Sequence, residues 1–135
     1  MEIKKSTFDY LPGLIEYEGN VVRINFDVEQ IELANMDSSE GKKASRKAYA
    51  AHVVRISQPV SRDKVIDAIV SEAYPTDKMQ AIINNHFVNL GVVADGGTLK
   101  DADELAHEEE YVAMQEWRKK AKSVASDVMA ELSNR

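Results

Sequence analysis

Apolar and polar side chains alternate along much of the first sixty residues, with the two-residue period of a β-strand. Leu14–Glu18 and Val21–Val28 both show this alternation, and only Gly19 and Asn20 separate them. A glycine at the first position of a two-residue connection supplies the positive φ that a type II′ turn requires. The pattern therefore predicts a β-hairpin.

The short turn also fixes which residues of the hairpin face each other. It places Tyr17 opposite Val22 on an apolar face and Glu16 opposite Arg23 on a polar face. Because one face is apolar and the other polar, we expect an antiparallel sheet that is covered on a single side.

The alternation changes phase after Val28, because Ile31 and Leu33 fall on the opposite parity. A strand that keeps its hydrophobic character but changes parity contains an extra or missing residue in its pairing. This pattern predicts a bulge or bend near Glu29 and Gln30.

A polar segment at residues 35–46 precedes a third predicted strand at Tyr49–Ile56. The segment is rich in Asp, Ser, Gly and Lys, which is typical of a mobile loop. The one basic cluster of the chain lies here, and in a polar loop we interpret it as solvated: Lys42, Lys43, Arg46 and Lys47.

Helical signals begin after Pro59. Ser61 is placed to cap a first helix, and Val60 and Val65 have the spacing of a hydrophobic staple. Pro75 should end this helix, because the residue before a proline avoids the helical region. We therefore expect the chain at Tyr74 to turn outward in extended geometry.

A second helix is expected after this proline elbow. Thr76 is placed to cap it, and Gly91 is placed to close it at the C′ position. Its predicted apolar side carries six residues: Met79, Ile82, Ile83, His86, Phe87 and Leu90.

Residues 101–132 contain no Gly or Pro and predict one long helix. Acidic side chains concentrate in its first turns and basic ones in its middle, which suits the helix dipole. Its apolar residues recur at spacings of three and four, which predicts a seam that must be covered: Tyr111, Met114, Trp117, Ala121, Val124, Val128 and Leu132.

These elements predict one α+β domain spanning residues 1–135. Its strand-rich half is residues 1–58 and its helical half is residues 59–135. We expect the antiparallel sheet to be covered on one face by two short helices and one long C-terminal helix.

Composition narrows the function classes. The chain has no cysteine, which excludes disulfides and cysteine-based zinc sites. Its formal net charge is −6, which argues against nucleic-acid binding. The polar N-terminus and the short apolar runs predict neither a secretory signal nor a membrane span, so we expect a cytoplasmic protein.

No pattern of residues predicts a catalytic, metal or cofactor site. His86 lies on an apolar helix side without an acidic partner at helical spacing, and His107 lacks the second histidine of an HExxH motif. Asp95-Gly96-Gly97 lacks the rest of a phosphate-binding motif, so we interpret it as a turn. We therefore expect a non-enzymatic protein without a small-molecule substrate.

The remaining function classes are interaction proteins and DNA-binding regulators. The first hypothesis is a protein-interaction or assembly protein with a protein partner or a second copy, and its candidate surface comprises Tyr111, Met114, Trp117, His86, Asn85 and Asn89. The alternative is a helix-turn-helix-like pair at residues 61–90, whose amide side chains could contact adenine edges.

The C-terminal half also shows a resemblance. The segments VVRI, PVSRDKVIDAIV, YPTDKMQAIINNHF and EEEYVAMQEWRKKAKSVASDVM are similar to small, mostly uncharacterised proteins encoded in prophages and phage-like elements of gut bacteria. The similarity covers about residues 48–130. It implies a tail, fibre or assembly role, and a location in the cytoplasm or in a phage particle.

Overall fold

The computed structural model describes residues 4–34 and 45–135. Four strands precede three helices: β1 Ser6–Phe8, β2 Ile15–Glu18, β3 Val21–Ala34, β4 Ser45–Ser57, α1 Arg62–Ala73, α2 Thr76–Ala94 and α3 Ala102–Ser133. Most of the predicted 35–46 loop, including Lys42 and Lys43, lies outside the described residues. Its last two residues are not loop, because β4 begins at Ser45.

The strands form one antiparallel sheet in the order β1-β4-β3-β2. The predicted hairpin is confirmed, because Tyr17 pairs with Val22 and Glu16 with Arg23. Gly19 has a φ of 65°, the positive value that its turn position requires. The α+β prediction is also confirmed, since three helices follow this sheet.

The predicted bulge is present, but it lies two residues earlier than the sequence pattern placed it. Phe26 pairs with His52 and Glu29 with Ala50, so that Asp27 and Val28 interrupt the register. Asp27 has a φ of 51°, a left-handed conformation that aspartate tolerates better than most residues. The alternation of apolar and polar residues therefore changes parity at Asp27 and Val28, where the pairing is interrupted.

The first helix begins and ends as predicted. The Ser61 hydroxyl accepts a hydrogen bond from the Lys64 amide at 3.3 Å, and α1 ends at Ala73, before Tyr74, whose φ of −131° and ψ of 80° are not helical. The side chain of Tyr74 does not face outward, however. It is buried in the core, where the proline elbow directs it.

Both predicted ends of α2 are wrong. Pro75, rather than Thr76, occupies the N-cap position, and it has no side chain that can accept a hydrogen bond. The helix continues through Gly91 to Ala94 because Gly96, with a φ of 83°, provides the left-handed residue that closes it. The second helix is therefore longer than the sequence pattern indicated.

One core joins the inner face of the sheet to α1 and to α3. Ile24 of β3, Ile69 of α1 and Met114 of α3 are all completely buried in it. The predicted seam of α3 faces this core. The main contacts of α2 are with α3, so α2 covers the first half of that helix.

Candidate interaction site on the second and third helices

A polar cluster joins α2 to α3. It consists of His86 and Asn89 from α2 and of Glu108 and Tyr111 from α3, and we call it the His86 cluster. Asn89 lies opposite Glu104 and Glu108, whereas His86 lies opposite Glu108 and Tyr111. Later residues of α2 therefore meet earlier residues of α3, and the two helices are antiparallel.

The Glu108 carboxylate is the centre of this cluster. Its two oxygens lie 2.8 and 3.0 Å from Nδ1 of His86. The Asn89 amide donates to the same carboxylate at 3.1 Å and to the backbone carbonyl of Glu104 at 2.8 Å. The imidazole also stacks on the Tyr111 ring, with ring centres 3.6 Å apart and planes at 3°. His86 thus has the acidic partner that helical spacing within α2 could not reveal.

These contacts keep the carboxylate ionised. The hydrogen bond with His86 lowers the pKa of Glu108, assisted by Asn89 and opposed by partial burial. The contacts of this carboxylate with His86 and Asn89 join α2 to α3, and its side chain remains 30% exposed. We therefore interpret the cluster as a polar contact that holds α2 against α3.

The residues of the predicted interaction surface lie mainly inside this contact. Met114 is completely buried, and Asn89 is only 3% exposed. Tyr111 and His86 are partly buried against each other, and Asn85 is half-buried. Met114 and Asn89 cannot contact a partner from these positions, because both side chains already pack within the chain.

Trp117, the sixth of these residues, also has internal partners. Its indole N–H donates to the Ile69 carbonyl at 2.8 Å. Its ring lies 5.8 Å from that of Phe26 and 5.3 Å from that of His52, between centroids. Burial, and then the charge of Lys5, lower the pKa of His52. Trp117 therefore links α3 to α1 and to the sheet.

The structure instead exposes large apolar side chains that the candidate surface left out. Phe87 and Leu90 of α2 are 64% and 47% exposed, whereas Leu105 and Val112 of α3 are 47% and 55% exposed. We call these four residues the exposed face. The sequence pattern places Phe87 and Leu90 on the apolar side of α2, and both are exposed because α3 contacts only part of this side.

The four residues lie on one side of the helix pair. An α-helix advances by about 100° per residue, so Leu90 and Phe87 lie about 40° and 100° around α2 from His86. In the same rotational sense, Val112 and Leu105 lie about 100° and 120° around α3 from Tyr111. Because the helices are antiparallel, the same sense of rotation from their contact leads to the same side.

A shallow groove of about 470 Å³ runs along the α3 part of this side. It is lined by Leu105, Glu108, Glu109, Val112 and Ala113. Glu108 therefore belongs both to the His86 cluster and to the border of the exposed face. This arrangement places apolar anchors and carboxylates next to each other on a surface that no element within residues 4–34 and 45–135 covers.

The glycine turn after α2 has a structural explanation. The amide of Gly97 donates to the Val92 carbonyl and that of Gly96 to the Val93 carbonyl, both at 3.0 Å. These two bonds form a Schellman cap. Because both amides are engaged in ending the helix, they are not available to bind a phosphate.

A second polar network lies on the sheet. Glu16 accepts hydrogen bonds from Tyr10, Arg23 and Asn25. Burial raises the pKa of Glu16, but these three hydrogen bonds together outweigh burial and lower it. The interpretation of Glu16 as a structural partner of Arg23 agrees with this geometry.

The helix-turn-helix alternative stays a prediction. The two helices and their elbow are present, but Asn89, one of the expected base-contacting residues, is buried.

Two further properties concern residues 4–34 and 45–135. Within these ranges, no three His, Asp or Glu side chains are grouped so that they could hold a metal ion. No helix in the same ranges has the length and apolarity needed to cross a bilayer.

Comparison with protein-family models, with curated proteins and with solved structures finds no match to this chain.

Proposed function

We propose that this chain is a non-enzymatic interaction protein that joins a larger protein assembly through the exposed face. The observation that carries the proposal is the exposure of Phe87, Leu90, Leu105 and Val112 on one side of the pair formed by α2 and α3. Contiguous apolar side chains on a folded surface mark sites of protein association far more often than single exposed ones do.

The His86 cluster supports a binding role over a catalytic one. Its histidine, carboxylate and amide bind one another across the contact of α2 with α3. This polar contact keeps both helices in register, so that the exposed face is a rigid surface. Rigid surfaces lose less conformational entropy on binding than mobile ones do.

The resemblance to prophage-encoded proteins supports an assembly of the tail or fibre type. In that case the chain would act in the cytoplasm during assembly or within a phage particle. The apolar residues of the exposed face come from two adjacent helices, and helical surfaces of this kind can recognise a protein partner. This arrangement is compatible with an assembly role.

Site-specific photo-cross-linking tests the proposal. A benzophenone amino acid at position 87 should give a discrete protein adduct in cells of the source, and Val112→Asp should abolish it. The matched control places the same amino acid at Leu11, an exposed apolar residue outside the helices. Equal adducts from both positions, or no adduct from position 87, would refute the proposed function.

A further inference from the structure

The charge around the exposed face indicates the chemistry of its partner. Residues 76–113, which comprise α2 and the first part of α3 and which we call the helical hairpin, contain eight acidic residues and two lysines. Between residues 102 and 116 there are six acidic residues and no lysine or arginine. The hairpin therefore presents apolar anchors in a strongly negative field.

The carboxylates lie beside the anchors. Glu108 and Glu109 line the same groove as Leu105 and Val112. The contacts with His86 lower the pKa of Glu108 and so favour its charged form. A ligand that fills the groove must supply positive charge to offset the burial of these groups.

The spacing of the anchors fits a helix. Leu105 and Val112 are seven residues apart, which is two helical turns or about 10.5 Å. An amphipathic helix with apolar residues at i, i+3, i+4 and i+7 presents side chains at this same interval. Basic residues on the flanks of such a helix would then lie beside Glu108 and Glu109.

A second copy of this chain fits the face less well. A two-fold axis through the centre of the exposed face would bring Glu108 and Glu109 of both copies together. The basic residues of α3 lie in its later turns, and one of them, Lys120, already pairs with Asp27 at 2.9 Å. Like charges that meet in a contact cost free energy and act against the pairing.

We propose that the exposed face, with its Glu108 and Glu109 border, binds a basic amphipathic α-helix of a partner protein. This inference rests on the proposed function and names the partner of the same surface. Apolar contact with Phe87, Leu90, Leu105 and Val112 supplies affinity, whereas the carboxylates select lysine- and arginine-flanked helices over acidic ones.

Two synthetic peptides test the inference with the full chain. Both have the same leucine-rich face, and their polar faces consist of lysine in one and glutamate in the other. Calorimetric titration should show binding of the lysine peptide, with affinity that falls as salt rises, and no binding of the glutamate peptide. If the lysine peptide does not bind, or both bind equally, the inference fails.

Variants separate specific docking from general attraction to an acidic protein. Leu105→Ser with Val112→Ser should weaken binding of the lysine peptide at least about tenfold, and Glu109→Gln about threefold with a smaller salt effect. The controls are Leu11→Ser and Glu72→Gln, both exposed positions outside the face, and they should bind as the original chain does. Equal weakening by the controls overturns the inference.

Light scattering of the chain without peptide tests whether a second copy covers the exposed face. A monomer at all concentrations is expected, and a dimer that Leu105→Ser with Val112→Ser dissolves would show that a second copy covers the face. The cross-linking experiment distinguishes failure of the proposed function from failure of this inference. An adduct from position 87 without lysine-peptide binding would retain the proposed function and reject the basic helix.

Discussion

The two halves of α3 lie in different surroundings. From Met114 onward, the helix places five side chains in the core, among them Ala121 and Val128. None of residues 102–113, all of which the structure describes, is buried. The second half therefore belongs to a body formed with the sheet and α1, whereas the first half belongs to the helical hairpin.

The body and the hairpin use apolar residues differently. In the body, each apolar seam is opposite another apolar surface, so burial stabilises the fold. In the hairpin, Ile82 reaches the core, a histidine, an asparagine and a glutamate join the two helices, and other large apolar side chains remain exposed. The difference indicates that the body maintains the fold and that the hairpin offers a surface.

The largest expected difference comes from truncating one residue of α3 in each region. Met114→Ala should lower the free energy of unfolding by about 2–5 kcal/mol, because it leaves a cavity in the core. Leu105→Ala, on the same helix but 47% exposed, should change it by less than about 0.5 kcal/mol. Denaturant unfolding measures both. Equal losses would contradict the distinction between body and hairpin.

A smaller effect is expected from weakening the polar contact between α2 and α3. Glu108→Gln removes the charge that His86 and Asn89 contact, and the expected loss is about 1 kcal/mol because the carboxylate is 30% exposed. Amide hydrogen exchange in α2 should accelerate about fivefold, while exchange in β3 stays unchanged. Glu109→Gln is the matched control one position away. The same acceleration in both variants would show that Glu108 has no special role.

Two glycines at the end of α2 should respond in opposite directions. Gly96→Ala forces a side chain into a left-handed conformation and should cost about 1 kcal/mol. Gly91 lies within the helix with open space around it, so Gly91→Ala should stabilise by about 0.5–1 kcal/mol. Thermal unfolding of the two variants measures the difference. Stabilisation by both, or by neither, would be inconsistent with a helix that continues through Gly91 to Ala94 and is capped by Gly96.

The smallest expected effect is a separation by pH of two groups, His52 of the body and Glu108 of the hairpin. The pKa of His52 in the body is lowered from 6.5, so the unfolded chain binds a proton more readily and stability falls as the pH drops below about 6.5. The pKa of Glu108 is lowered from 4.5, so its contribution is present above about pH 4.5 and is lost as the pH falls through its lower folded-state value.

Unfolding titrations of His52→Gln and Glu108→Gln test this separation. The first variant should flatten the dependence just below pH 6.5, and the second should flatten it below pH 4.5. If each variant altered the other interval instead, the assignment of these groups would be wrong.

The body was more predictable from the sequence than the hairpin was. The Glu16–Arg23 pairing, the Ser61 cap and the seam of α3 follow from local rules of turn geometry, capping and periodicity. Local rules act within a few residues, and in the body each apolar stripe found an apolar neighbour. Periodicity was therefore sufficient to identify the core.

The hairpin depends on a contact between residues far apart in the sequence. His86 and Glu108 are 22 positions apart, and no spacing within one helix indicates that they meet. The exposed face did leave a trace in the sequence, because the apolar residues of α2 continue past Leu90 to Val92 and Val93 and span more than one side. An apolar arc that is wider than the contact with one neighbouring helix indicates that part of the apolar surface will be exposed.

Trp117 determines what a fluorescence measurement can report on this protein. It is the one tryptophan of the chain, and its indole lies among Ile69, Phe26 and His52, where the sheet, α1 and α3 meet. Its emission will therefore follow the melting of the body. Fraying of α2 from the stacked ring of Tyr111 would leave that signal nearly constant, so a two-state tryptophan curve would describe only part of the molecule.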